Sequence, residues 1–294
     1  MTALSLDEAP AQLKEDAREF WLHGEASDPE CGDLWLLSWN GEALSLAVVG
    51  SVYPGFVRAW PVTIQPPALS DVAVELPCQL FNSPLTLWPH METGLGMHLL
   101  DRKIDHVLSS RQVGLLRRFA FENDPPPLPL IQGSAKGVTT ADKDGIIRMF
   151  GQLCFIEWPE NRLGEAILAR EVLAAKGRTA EDVATALGLE TAEAFAIWTG
   201  QKAVDALSAQ RLCSLLELPL EEVLKAPNGP EVRELQRPEH KMALSQLAKL
   251  RGTTESQSRN AAREEFTLAA RSTGSSRALS SKVRSAIERL LEDQ

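Results

Sequence analysis

The chain has 294 residues, of which 44% are hydrophobic and 24% charged, and a formal net charge of −10. This composition excludes a disordered protein and suits two or three folded domains, and no apolar run approaches the roughly 20 residues that span a bilayer. The negative field repels polyanions, so any nucleic-acid contact has to come from local patches. Cys31, Cys78, Cys154 and Cys213 form no CxxC pair, and His90, His98 and His106 have no Cys or carboxylate partner at ligand spacing. Reduced thiols, no metal and no cofactor are expected, in a cytoplasmic chain whose N-terminus carries no signal segment.

Residues Leu6 to His23 set Leu13, Ala17, Phe20, Trp21 and Leu22 among charges, which predicts a short amphipathic helix. From Gly32 the pattern changes to that of strands. These are expected at Leu34 to Trp39, Leu44 to Val52 and Phe56 to Ile64, joined by Asn40-Gly41 and Pro54-Gly55 turns. Shorter ones follow at Asp71 to Glu75 and Leu85 to Trp88, and Ser109 or Ser110 caps a helix through Phe119. Residues 1–129 are read as a small curved β-barrel with helices.

Within it, Gly32-Asp33-Leu34-Trp35-Leu36, Trp60-Pro61-Val62-Thr63 and Asp101 to Arg118 resemble the opening, a strand end and the closing segment of the MazF/PemK-like toxin barrel, over residues 32–121. The resemblance implies a small SH3-like barrel that cleaves RNA, with an Arg and a Thr or Ser stabilising the charge that develops at phosphorus. Thr63 matches the second of these. Ser45 and Leu46 stand where the family has Arg-Pro, and Arg58 lies one strand later. The expectation is a barrel without catalysis that binds a partner or ligand; an active enzyme would use Thr63 and Arg58.

Asp124 to Leu130 is proline-rich, and residues 130–159 are read as a linker in which Gly145 to Trp158 forms either a strand or a helix. Leu163 to Lys225 then reads as five short helices. Gly177, Gly188 and Gly200 close the first three, Thr179 caps the second, and Pro219 opens the last. Ile167, Leu168, Val172 and Leu173 mark the first helix, Val183, Ala184 and Leu187 the second, and Val223 and Leu224 the last. The small Ala184 lets the third helix cross closely over the second.

This stretch resembles the Xre/Cro-type helix-turn-helix family, which implies an all-α five-helix DNA-binding domain over 160–226 with Thr191 to Thr199 entering the major groove. Arg178, Thr179, Thr191, Thr199, Gln201 and Lys202 are its candidate DNA contacts. Against them stand Glu190 and Glu193, and the segment from Glu160 to Ala226 holds seven basic and eleven acidic residues. Residues 227–294 form a helical tail, with ten basic and four acidic residues between Lys241 and Arg289. Arg271, Arg277, Lys282 and Arg284 are candidate phosphate contacts. The other reading of the tail is a helical hairpin that packs on the preceding domain, or dimerises through Leu279, Val283, Ile287 and Leu290.

The fold class expected is multidomain α+β, and the function expected is a transcriptional regulator that binds double-stranded DNA, of a toxin-antitoxin or phage-defence locus. The barrel would dock a protein partner or act as a sensor, and the chain would form a homodimer. Two other functions stay open: an endoribonuclease fused to its own DNA-binding domain, and a protein-interaction module that does not bind DNA.

Overall fold

The computed structural model describes residues 4–24, 27–53, 55–64, 72–122, 124–127, 129–133, 140–159, 167–199, 202, 204, 206–218, 223–225, 230–272 and 278–292. The protein is mixed α/β and divides into two compact units, residues 1–158 together with 231–294, and residues 159–230. The second unit is an insertion in the sequence of the first.

In the first unit, α1 (Arg18–His23) precedes strands β1 (Asp33–Trp39), β2 (Glu42–Tyr53), β3 (Phe56–Thr63), β4 (Val74–Leu76), β5 (Leu85–Leu87), β6 (Thr93–Gly96), β7 (Leu100–His106) and β8 (Ile131–Gln132). They make one antiparallel sheet in the order β7-β1-β2-β3-β5-β4-β8, with β6 also on β3. The Asn40-Gly41 turn takes φ +52° and +78°, the left-handed values that a tight hairpin requires.

No pairing among the described residues joins β7 to β8, so the sheet is open where a closed barrel is expected. Burial of β1 gives the physical reason, since alternate residues fill two separate cores. Leu34 and Leu36, with Val48, Trp60 and Val62, pack against Trp21 of α1 and Leu116 of α2 (Ser110–Glu122). On the other face Trp35 and Leu37, with Ala47, Val57 and Ala59, pack against Phe150 and Leu153 of α3 (Thr140–Leu153). A run that is apolar on both sides suits a layered sheet covered on each face. Thus α3, which falls in the stretch read as linker, closes one of the two cores.

The inserted unit contains β9 (Ile167–Leu168), α4 (Arg170–Ala175), α5 (Ala180–Leu187), α6 (Thr191–Trp198), α7 (Ala206–Leu216) and β10 (Leu224–Lys225). Ile167, Leu168 and Leu224, expected on helices, instead form a two-stranded antiparallel ladder that joins the two ends of the unit. Long-range pairing has overridden local propensity there. The Gly200 and Pro219 breaks lie outside the described residues.

Helix α5 begins with a capping box: Thr179 N donates to the Asp182 carboxylate at 2.7 Å while Asp182 N donates to the Thr179 hydroxyl at 3.4 Å. It ends at Gly188, φ +66°, a left-handed residue that turns the chain into α6. Leu173, Val183, Ala194, Ile197, Leu212 and Val223 form the core. Ala184 is partly buried on its edge, whereas Ala194 of α6 has no exposure. Ala194→Leu should therefore overpack this core and lower the unit's stability by about 1 to 3 kcal/mol, read from its thermal midpoint, with a smaller loss for Ala184→Leu.

The chain returns to the first unit with α8 (Pro230–Leu235), α9 (Lys241–Arg251), α10 (Glu255–Ser272) and α11 (Leu279–Glu292). Val232, Leu235, Leu244, Ala262, Val283 and Ile287 bury Trp158 in a common core. Gln236 Nε2 also donates to the Trp158 carbonyl at 2.6 Å, so the two points between which the insertion is carried lie together. Helical periodicity identified the last three of these segments, but neither α8 nor that all four complete the N-terminal unit.

Candidate functional site

In the inserted unit, the turn at Gly188 joins two eight-residue helices, α5 and α6. On α6, Ala194, Ile197 and Trp198 are buried, while Thr191 and Ala192 are exposed and Phe195 is 56% exposed. Thr199, at the C-terminal end, donates its hydroxyl to the Phe195 carbonyl at 2.8 Å. Glu193 is ion-paired with Lys202. Of the two carboxylates that oppose a polyanion, Glu193 is thus matched by a candidate contact residue of the opposite sign, while Glu190 stands exposed at the start of α6.

Other candidates in this unit have structural work. The Thr179 hydroxyl belongs to the α5 cap, and Arg178 donates to the Leu216 carbonyl at 3.3 Å. Gln201 lies outside the described residues. Exposed apolar groups were the feature that charge counting passed over: Val172 at 40%, Phe195 at 56% and Leu215 at 61%. Such side chains on a small unit mark contact surface when they cluster.

Arg58 and Thr63 do not meet. Alternation along β3 puts Arg58 on the side of Trp60 and Val62 and Thr63 on the side of Val57 and Ala59, five residues further on. Arg58 lies 2.9 Å from the buried Glu92 carboxylate, an ion pair without hydrogen-bond geometry. Arg117 takes the other oxygen of Glu92 at 2.8 Å and the Ser51 hydroxyl at 2.6 Å. Thr63 accepts from the Trp88 indole at 3.2 Å. The geometry gives no arrangement in which one phosphate touches both Arg58 and Thr63.

A cluster at the β1–β7 edge escaped the sequence. Asp33, fully buried, has one oxygen in an ion pair with Lys103 at 2.8 Å and within 2.8 Å of His106 Nδ1, and accepts at the other from Glu30 N at 2.8 Å. A carboxylate only accepts, so His106 Nδ1 donates to Asp33 and the buried oxygen fixes the orientation of the ring. Gly32 is required here, because at φ +95° a Cβ would run into the Leu108 carbonyl. The signal available was the Gly32-Asp33 pair, but the His106 that meets Asp33 lies 73 positions away.

Glu30, Asp33 and His106 place donor atoms within reach of a single metal ion, as do Glu234, Glu239 and His240. In each set a cation of the chain already sits on the carboxylates: Lys103 on Asp33, and Arg237 on Glu234 and Glu239 at 3.5 and 3.3 Å. In each cluster one cation of the chain thus offsets part of the charge of two carboxylates. His240 is buried and held below the ordinary histidine value, mainly by desolvation.

In the tail, the apolar face read as a dimer contact is turned inward. Val283 and Ile287, expected at a dimer contact, are buried in the chain's own core, and Leu279 and Leu290 pack against it. Arg284 lies 3.9 Å from Glu239, and Arg289 pairs with Glu265 at 2.9 Å. Lys282 is half-buried at the start of α11. Arg277 is outside the described residues, and of Arg271 only the backbone is described.

Two further basic residues, Lys241 and Arg259, are fully buried. Glu255 lies between them, 2.8 Å from Lys241 Nζ and 2.7 Å from Arg259. Lys241 also donates to the Ser38 and His98 carbonyls, both at 2.9 Å, while Arg259 donates to the Leu235 carbonyl. Two cations against one anion leave a surplus positive charge. The Trp39 ring answers it, 5.0 Å from Lys241 and 5.7 Å from Arg259, with Trp158 at 5.5 Å from Arg259. Desolvation still pushes Lys241 down to about 8, with Glu255 opposing that shift. Basic residues that looked available for phosphate thus hold the first unit together.

No family model, curated protein or solved structure matches this chain. No helix among the described residues is long and apolar enough to cross a membrane.

Proposed function

We propose that the protein is a DNA-binding regulator whose inserted unit carries a helix-turn-helix, α5 and α6, and whose first unit is a non-catalytic sheet that serves as sensor or docking module. The observation that carries this reading is the α5–Gly188–α6 arrangement, with a capped first helix, a left-handed glycine turn and a second helix whose outward residues are free of the core. That is the geometry by which a recognition helix is presented to a major groove. The Glu193–Lys202 pair offsets one of the two carboxylates that stood against this reading. Separation of Arg58 from Thr63 supports the absence of RNA cleavage.

Exposure of Phe195, Val172 and Leu215 favours a second reading, in which the same unit docks a protein. The test is selection of duplexes from a random-sequence library by the full chain, followed by mobility shifts over a salt series, with labelled mixed-sequence RNA in parallel. Retained duplex and intact RNA are expected. Glu193→Gln should release Lys202 toward phosphate and steepen the salt slope by about 0.9, whereas Lys202→Met should weaken binding by leaving Glu193 unpaired. No retained duplex in any salt would replace this reading by the protein-docking one, and RNA cleavage lost in Thr63→Ala would restore the nuclease.

A further inference from the structure

The chemistry of α6 limits which bases it can distinguish. Guanine is read through two acceptors by Arg or Lys, adenine by the paired donor and acceptor of Asn or Gln, and cytosine by a carboxylate that accepts from its amino group. Between Thr191 and Trp198 there is no Arg, Lys, Asn or Gln. The one carboxylate, Glu193, is tied to Lys202. What remains on the outward stripe is mainly apolar: Thr191, which offers a methyl beside its hydroxyl, Ala192, the exposed ring of Phe195, and at the C-terminal end Thr199, whose hydroxyl donates to the helix backbone.

Thymine is the base that answers such a surface, because its 5-methyl group is the apolar feature of the major-groove edge. We infer that the bases opposite α6 are thymines, recognised through their methyl groups, with Thr191, Ala192 and Phe195 as the specificity-determining residues. This rests on the DNA-binding reading above. Charge cancellation between Glu193 and Lys202 is part of the device: it leaves the stripe neutral, so that discrimination comes from apolar contact and shape while affinity comes from phosphate contacts elsewhere on the unit.

Deoxyuridine tests this directly, since it pairs as thymine does and lacks only the methyl group. Duplexes retained by the full chain are resynthesised with deoxyuridine at each thymine in turn, and dissociation constants are compared. Each methyl in contact with α6 is expected to be worth about fourfold in affinity, the burial of roughly one carbon. Phe195→Ala, at an exposed position that leaves the core intact, should abolish the difference between thymine and deoxyuridine at its own position while keeping the salt slope. Equal binding of thymine and deoxyuridine duplexes at every position overturns this inference and leaves the DNA-binding reading standing. Failure to retain any duplex overturns both. A selected site rich in guanine contacts, insensitive to Phe195→Ala, also overturns it.

Discussion

Removal of residues 231–294 is expected to unfold the N-terminal unit, whereas removal of residues 159–230 is expected to leave it folded. Chain order suggests the opposite, because the first deletion trims a tail and the second cuts out the middle. The tail, however, supplies Val232, Leu235, Leu244, Val283 and Ile287 to the core around Trp158. At about 1.5 to 3 kcal/mol for each large side chain, their loss amounts to on the order of 10 kcal/mol, comparable to the whole stability of a domain. The truncated protein would also expose Trp39.

The internal deletion removes none of these contacts. Gln236 holds the Trp158 carbonyl at 2.6 Å, and Glu231 lies about five helical rises, some 7 Å, from Gln236. Three or four glycine and serine residues between Trp158 and Glu231 span that gap. The inserted unit, for its part, joins its own ends through the β9–β10 ladder. Near-ultraviolet circular dichroism and thermal unfolding of the two deletions check this: a cooperative transition is expected for the internal deletion and none for the truncation. A folded truncation would mean that the tail packs on the sheet without completing it.

The second large effect is expected at Glu255. Glu255→Ala leaves Lys241 and Arg259 buried without their counter-charge, and breaking a buried pair in this way costs about 3 to 5 kcal/mol. For a unit of this size the thermal midpoint should fall by about 6 to 20 °C. Replacing the set together, Lys241→Met with Glu255→Leu and Arg259→Met, should recover most of the loss, since no unpaired charge then remains. Trp39 and Trp158, both in contact with the cations, report the change by fluorescence. Retention of the wild-type midpoint in Glu255→Ala would show that water reaches the two cations.

The His106–Asp33–Lys103 set is of a different kind, because its imidazole is half exposed while the carboxylate that orients it is buried. A buried acceptor there stabilises one ring orientation, and the β1–β7 pairing brings the three residues together from the first strand and the last of the long ones. Local sequence around Lys103 and His106 carries no sign of Asp33.

Much of the local structure was determined by sequence. Asn40-Gly41 demanded a hairpin because both residues adopt positive φ at small cost, and the turn is where it was expected. The break at Gly188 and the Thr179 cap likewise follow from residues within a few positions of each other. The apolar run Leu34 to Leu37 announced a strand, and α2 and the last three helices of the tail were marked by their period. What tertiary structure decided was everything that depends on distant partners. It settled whether the sheet closes, which is a matter of which strands meet at its ends, and whether Ile167, Leu168 and Leu224 continue helices or pair with one another. It also decided that Lys241 and Arg259, two of the basic residues between Lys241 and Arg289, are buried. Charge read along a chain does not distinguish an exposed cation from one held by a carboxylate and a tryptophan ring. That distinction is made by desolvation, which depends on what packs over the side chain.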